Sequence, residues 1–305
     1  MRIKAGRPNL AAYEAFVDES AAPPTAPVTV TWAGVTTLLI TDGESAVLTD
    51  GFFSRPSLAR VGLRRLAPSL PRIAAGLDRL GVTRLDAVVP VHTHFDHAMD
   101  SAVIAERTGA VLVGGGSVAH LGHGLPGARV RVVRDAAPVD LGGFEVTLIE
   151  GDHCPPDRYP GPITAPVVPP VRASAYRCGE AWSMLVRHRT TERTALVVGS
   201  AGFVPGALAG REAEVVYLGI GQLGLQSVGY IEQYWSETVR AVGARRVVLT
   251  HWDDFFRPLE RGLRALPYAG DDLDVSMAVL GRLAREDGVP LHLPTPWRQT
   301  DPWRD

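Results

Sequence analysis

The chain has little of what would mark a specialised class. Its 305 residues include two cysteines. These, Cys154 and Cys178, form no C-x-x-C pair and suggest no disulfide framework. Lysine is almost absent: Lys4 stands alone, and arginine carries the rest of the positive charge. With abundant alanine, glycine and proline, this bias reflects a GC-rich genome rather than guanidinium-based function. Neither sign of charge dominates: the formal net charge is −2 and charged residues make up 21%. That argues against a nucleic-acid partner and against an acidic tail. No apolar run reaches membrane-spanning length. The N-terminal Met1-Arg-Ile-Lys-Ala-Gly-Arg-Pro8 lacks the apolar centre of a signal peptide, which predicts a cytoplasmic protein without a membrane partner. No repeat or low-complexity tract is evident. What remains is 46% hydrophobic, an ordinary soluble composition long enough for one large domain or two small ones.

Histidine is also sparse, nine in the chain, yet three of them fall in His92-Thr-His-Phe-Asp-His97. Before this cluster lies the apolar Asp86–Val91, with the look of a buried strand; after it, Ala98–Glu106 is apolar at helical spacing. The cluster therefore sits on a strand-to-helix loop. Side chains alternate along an extended segment, so His92 and His94 point the same way. Asp96 and His97 follow at the turn and face a second position. Imidazoles with a carboxylate suit zinc, or a borderline divalent metal such as iron or manganese. Three histidines that happen to share a polar loop would be the plain alternative.

His-x-His-x-Asp-His on such a loop resembles the motif of the metallo-β-lactamase fold superfamily. The resemblance extends upstream to Val28–Ile40 and Ala46–Asp50, which look like that fold's opening strands. It extends downstream to His153 and His251, each following an apolar strand (Phe144–Glu150 and Arg246–Thr250). The Trp32-x-Gly34 opening is most similar to the branch with ascorbate-phosphate lactonases and phospholipase D-like acyl-ethanolamine enzymes. The fold implied is α/β, a four-layered αββα sandwich with metal at the sheet edge.

Along the chain, residues 1–27 read as an N-terminal arm, with a short helix at Leu10–Val17 and a Pro-rich linker at Ala21–Pro27. Residues 28–305 read as a single domain. Strands are predicted at 28–32, 35–40, 45–49, 86–91, 110–113, 130–133, 144–150, 183–189, 194–199, 214–219 and 246–250. Helices are predicted at 69–80, 98–107, 116–122, 227–242 and 272–286. Such a mixture fits two packed sheets with helices outside. The proline-dense loop Cys154–Val171 is either an active-site wall or a rigid surface connection. Phe52 and Phe53 are either substrate-pocket residues or core plugs.

The resemblance implies two metal positions. One takes His92, His94 and His153; the other takes Asp96, His97 and His251. One or two zinc ions would be held, with iron or manganese as alternatives. A bridging aspartate normally joins the two, but Ser200 stands where it is expected. A hydroxyl is a poor substitute for a charge that binds both ions. Three outcomes are open. The centre is mononuclear, with Asp96 as general base or water-orienting group; or Asp253 or Asp254 steps in; or metal is bound without catalysis. Asp50 resembles the family's aspartate that accepts the far N–H of a ligand histidine, though it could be a simple turn residue. Cys154, beside His153, reads as a small buried residue. His120, His123, His188 and His292 read as structural or surface residues.

Such a centre implies a metal-bound hydroxide attacking a carbonyl or phosphoryl carbon or phosphorus. The expected activity is hydrolysis of a small-molecule ester, lactone, amide or phosphodiester. A catalytically decayed metal-binding protein and an iron-dependent redox member of the same fold are the alternatives. Arg172, Arg177 and Arg187 are either anion contacts or solvated charges. Gly219-Ile-Gly-Gln-Leu-Gly224, between a strand and a helix, is a weak phosphate-loop candidate without the Walker lysine, with Gln222 a candidate substrate contact. Tyr230, Tyr234 and Trp235 are either core or a face for a homo-oligomer.

Overall fold

The computed structural model describes residues 4–134 and 136–304. In chain order its strands are β1 Val17–Asp18, β2 Thr29–Trp32, β3 Leu38–Thr41, β4 Ala46–Thr49, β5 Ala87–Val89, β6 Val111–Gly114, β7 Val130–Val132, β8 Pro138–Leu141, β9 Phe144–Glu150, β10 Trp182–His188, β11 Thr194–Val198, β12 Val215–Gly219, β13 Arg246–Thr250, β14 Leu291–Pro294 and β15 Gln299–Thr300. The helices are α1 Leu58–Leu63, α2 Leu70–Arg79, α3 Phe95–Ala98, α4 Ser101–Thr108, α5 Gly116–Leu121, α6 Val228–Trp235 and α7 Leu273–Asp287.

Two sheets form. One runs β1-β14-β13-β12-β11-β10-β9-β8, the other β15-β2-β3-β4-β5-β6-β7. Alternating apolar residues of both, including Val30, Trp32, Leu38, Val89, Val146, Leu148, Val197 and Leu249, share one buried core. A second cluster lies outside the seven-stranded sheet, where Ile73 and Leu77 of α2 and Ile104 of α4 cover Leu39, Leu48 and Val88. Helix α7 packs its buried Leu273, Met277, Leu280 and Leu283 into the main core on the other side. Strands β4 to β7 are parallel to one another, and so are β11 to β14. Parallel strands are buried on both faces and read as continuous Val/Leu runs, which is why Ala87–Val89 and Val215–Gly219 stand out in the sequence.

Four short strands escape the sequence pattern: β1, β8, β14 and β15. Each is an edge strand or too brief to show a period. Helix α1 was also unpredicted; its N-cap is Ser57, whose hydroxyl accepts from Arg60 N–H. The predicted helix at 98–107 breaks at Asp100, whose carboxylate takes the N–H groups of Phe53 and Ser54. The segment expected to be helical over 227–242 passes from α6 into a π-helical turn, Ser236–Arg240. The N-terminal segment joins the sheet: Val17 pairs with Leu293, and Asp18 forms a buried ion pair with Arg246.

The two phenylalanines offered as pocket residues are core. Phe52 is fully buried, edge-on to Phe95 at 6.0 Å, and Phe53 stacks on Trp297 at 6.4 Å against α2. Of the three aromatics on α6, Tyr234 and Trp235 are buried and Tyr230 is half-buried. No helix among the described residues is long and apolar enough to cross a membrane.

Candidate metal centre

Every residue singled out for metal binding lies just past the carboxyl end of a strand, where ligand sites of α/β sheets form. His92 to His97 follow β5, His153 follows β9, and His251 follows β13. Asp50 follows β4 and Ser200 follows β11. The two sheets are stitched together here by Trp182 N–H to Val91 O at 2.9 Å.

Two groups of donors result. His92, His94 and His153 bring one ligand atom each within 4.8 Å of one another; so do Asp96, His97 and His251. His92 Nε2 lies 3.2 Å from His94 Nδ1, and His97 Nε2 lies 3.2 Å from His251 Nε2. Asp96 Oδ2 is 3.5 Å from His251 Nε2 and 3.8 Å from His97 Nε2. The rings of His92 and His97 have centroids 3.9 Å apart, so the two groups adjoin.

The outer edges of these rings fix which nitrogen faces inward. His97 Nδ1 pairs with Asp50 Oδ2 at 2.7 Å, and His153 Nδ1 pairs with the Cys154 carbonyl at 2.8 Å. A neutral imidazole that donates through Nδ1 carries its lone pair on Nε2. Asp50 is itself held by Thr36 Oγ1 at 2.6 Å and Val91 N–H at 2.9 Å.

Charge follows the same logic. Burial, with His97 and the neighbouring imidazoles, pushes His92 well below its usual range; burial also lowers His94, and lowers His153 to about 4. Burial works against ionised Asp96, yet the imidazoles of His97, His251 and His94 outweigh it and hold the carboxyl far below its usual range. For His97, burial is outweighed by Asp50 and Asp96, which raise it. The lowered imidazoles of the first group and the ionised Asp96 carboxylate are donors that suit a divalent cation, which would displace the proton that Asp50 and Asp96 favour on His97. The residues fit a metal.

The backbone is strained around the centre. Val35, Asp50, Gln222 and His251 have φ of 51°, 52°, 64° and 59°. Left-handed non-glycine residues cost of order 1–3 kcal/mol each and persist only where surroundings over-determine them. Here Val35 O accepts both Trp32 Nε1–H and His251 N–H, each at 2.9 Å, while Trp32 stacks on Trp252 at 5.5 Å. Gly34 completes this turn: a Cβ there would sit 2.3 Å from Arg55 Nη1. Buried Arg55 was missed from sequence, and it explains a failed expectation. Asp253 pairs with Arg55 and accepts Val35 N–H, and Asp254 pairs with Arg7 and Arg264. Neither belongs to a donor group among the described residues. Ser200 Oγ instead accepts Cys154 N–H at 3.0 Å. Burial pushes the Cys154 thiol up to about 12, so it offers no thiolate at neutral pH.

The glycine-rich loop after β12 does not wait for a phosphate. Its Gln222 and Gly224 N–H groups are taken by the Asp271 carboxylate at 3.0 and 3.2 Å. Gln222 Oε1 is buried without a hydrogen-bond partner among the described residues. Arg187 is paired with Glu145 and Glu192, and Arg177 binds the Pro160 carbonyl. His188 is buried on Thr191 Oγ1, a structural role. An open groove of about 680 Å³ lined by Arg60, Leu63, Arg64 and Pro170 contains none of the donors.

Residues 30–176 match the family model of the metallo-beta-lactamase superfamily. That match spans just under half of the chain, and the metallo-β-lactamase fold is the one its two sheets and flanking helices share with solved structures. A UPF0173 metal-dependent hydrolase of Chelativorans sp. (strain BNC1) is 29% identical over 126 residues, which is 41% of this chain and 47% of that protein. The match thus spans about half of the relative's length. Among solved structures, Igni18, a metallo hydrolase from Ignicoccus hospitalis, superposes with a TM-score of 0.56 at 15% identity, covering 90% of this chain and 97% of that one. CmlA, a diiron β-hydroxylase from Streptomyces venezuelae, gives 0.54 at 15% identity, covering 91% of this chain and 55% of that one. At such identities the likeness is one of fold.

Proposed function

We propose that this protein is a zinc-dependent hydrolase of small-molecule esters, lactones, amides or phosphodiesters. The observation that carries this reading is the pair of adjoining donor groups, one of three imidazoles and one of Asp96, His97 and His251, on one buried sheet edge. His92, His94 and His153 would hold one ion, and Asp96, His97 and His251 a second, without a bridging carboxylate at Ser200. When bound, the metal supplies an acidified water and a Lewis-acid contact for the scissile carbonyl or phosphoryl oxygen. The chain's own part is to position. Asp50 and the Cys154 carbonyl fix two imidazoles from behind. Asp96 stays ionised and presents an acceptor that aims the water; a carboxylate this acidic suits orientation better than proton storage.

An iron-dependent oxidation is the second reading. CmlA, of the same fold, is named a diiron enzyme, and nitrogen-oxygen donors accept either metal. Elemental analysis of protein purified without added metal or chelator, followed by a panel of esters, lactones and phosphodiesters, separates the two. Zinc with turnover that disappears in His92→Ala and Asp96→Asn supports the hydrolase. Iron without hydrolysis would favour oxidation, and absence of any metal would sink both. Ser200→Asp should tighten the second ion if the serine is what weakens it.

A further inference from the structure

We propose that Asp157 is a positioning residue for the first metal position: it holds the outer edge of His94 and so makes the Pro-rich loop part of that position's affinity. The inference rests on the metal-centre reading above. His94 turns Nδ1 toward His92 Nε2, 3.2 Å away. Its other nitrogen, Nε2, lies 3.2 Å from Asp157 Oδ1. The contact sets this buried imidazole edge against a carboxylate at 3.2 Å, without the alignment of a full hydrogen bond. Without that carboxylate the outer edge of the ring loses the acceptor that favours a proton on Nε2, and the inward lone pair on Nδ1 loses that support.

Asp157 is itself anchored. Its Oδ1 accepts Tyr159 N–H at 2.8 Å, and the Cys178 thiol sits within 4.8 Å of both Asp157 and His94, where burial keeps it protonated. Cys178 N–H bonds Tyr159 O at 2.8 Å, and Thr93 N–H bonds Cys178 O at 2.8 Å. Thr93 lies between the two ligands His92 and His94. A closed path of bonds therefore runs from the loop through Cys178 to the metal-binding turn. The same loop begins at Cys154, whose carbonyl takes His153 Nδ1–H. Two of the three imidazoles in the first group are thus oriented by one segment, residues 154–159. In the second group His97 is oriented by Asp50, at the end of β4. Displacing the loop should weaken the first position and spare the second.

The test uses zinc itself as probe, with chelator competition on the full chain. His251→Ala provides a background in which only the first position remains. In that background Asp157→Ala should lower zinc affinity roughly 10–100-fold, the range seen when a ligand's supporting group is removed. Asp157→Asn should lose less, since an amide oxygen still accepts. Melting of the chelated proteins should be alike. In the native background the second equivalent should be unaffected. Unchanged affinity in both Asp157 variants would overturn the inference while leaving the metal centre standing. An equal loss in Cys178→Ala would also overturn it, by making His94, Asp157 and Cys178 a ligand group of their own. A native protein that binds no zinc would overturn the metal-centre reading and this inference with it.

Discussion

Asp50→Asn removes one charge from behind His97 and changes almost nothing in volume. The native carboxylate is fully buried. Oδ2 takes His97 Nδ1–H at 2.7 Å and Thr36 Oγ1–H at 2.6 Å, and Oδ1 takes Val91 N–H at 2.9 Å. An asparagine has one oxygen to share among these three donors. If that oxygen stays on Val91, the amide nitrogen meets His97 Nδ1. The clash is relieved when His97 shifts its proton to Nε2, the nitrogen facing His251 and Asp96. The inward lone pair is then lost. Metal affinity at the second position should fall roughly 10–100-fold, as for other orienting groups. If the oxygen turns to His97 instead, Val91 N–H is left buried and unpaired, at about 1–3 kcal/mol. Either way the melting temperature of the metal-free protein should drop by a few degrees. Chelator competition gives the affinity and calorimetry gives the stability. Native affinity at both positions, in a folded Asp50→Asn protein, would refute the orienting role.

Three further outcomes follow from the same geometry. Gly221→Ala places a Cβ 2.8 Å from His251 Nδ1, so the ring must move; the second metal equivalent should loosen by roughly tenfold or more while the first is retained, and equal retention of both would count against His251 as a ligand. Asp100 is buried, and burial raises its carboxyl to about 6 despite hydrogen bonds from Ser54 and Phe53. Its folded value exceeds the unfolded one, so its contribution is fully present below about pH 4 and is lost as pH rises through 6. The stability of native protein relative to Asp100→Asn should therefore grow by about 3 kcal/mol on acidification across that window, and a pH-independent difference in denaturant unfolding would refute it. Arg55→Met strands the Asp253 carboxylate, whose side chain is 1% exposed; a buried pair broken on one side costs about 3–5 kcal/mol, measurable by urea denaturation, and a neutral result would show that water reaches Asp253.

Legibility in the sequence divided along physical lines. Strands β4, β5, β9, β12 and β13 lie close to where the periodicity put them, because a strand covered on both faces must be continuously apolar. The six donor residues were named from His92-Thr-His-Phe-Asp-His97 and two strand-end histidines, and the structure places them in two adjoining groups. Phe52 and Phe53 went the other way: loop phenylalanines carry no mark that separates a pocket wall from a core plug, and α2 and Phe95 decide it. Asp157 had a faint signal, an acid four residues past His153 within the proline-dense loop, but nothing in that spacing aims it at His94.

The sequence by itself determined the fold class and the kind of donor, since these follow from local pattern and residue identity. Only the tertiary structure decided which carboxylates are free. Asp253 and Asp254 sit beside His251 in sequence yet are consumed by Arg55, Arg7 and Arg264, while Asp50, 47 residues from His97 along the chain, is the one that touches it. A buried charge takes the partner that packing brings to it, and packing is not written in chain order.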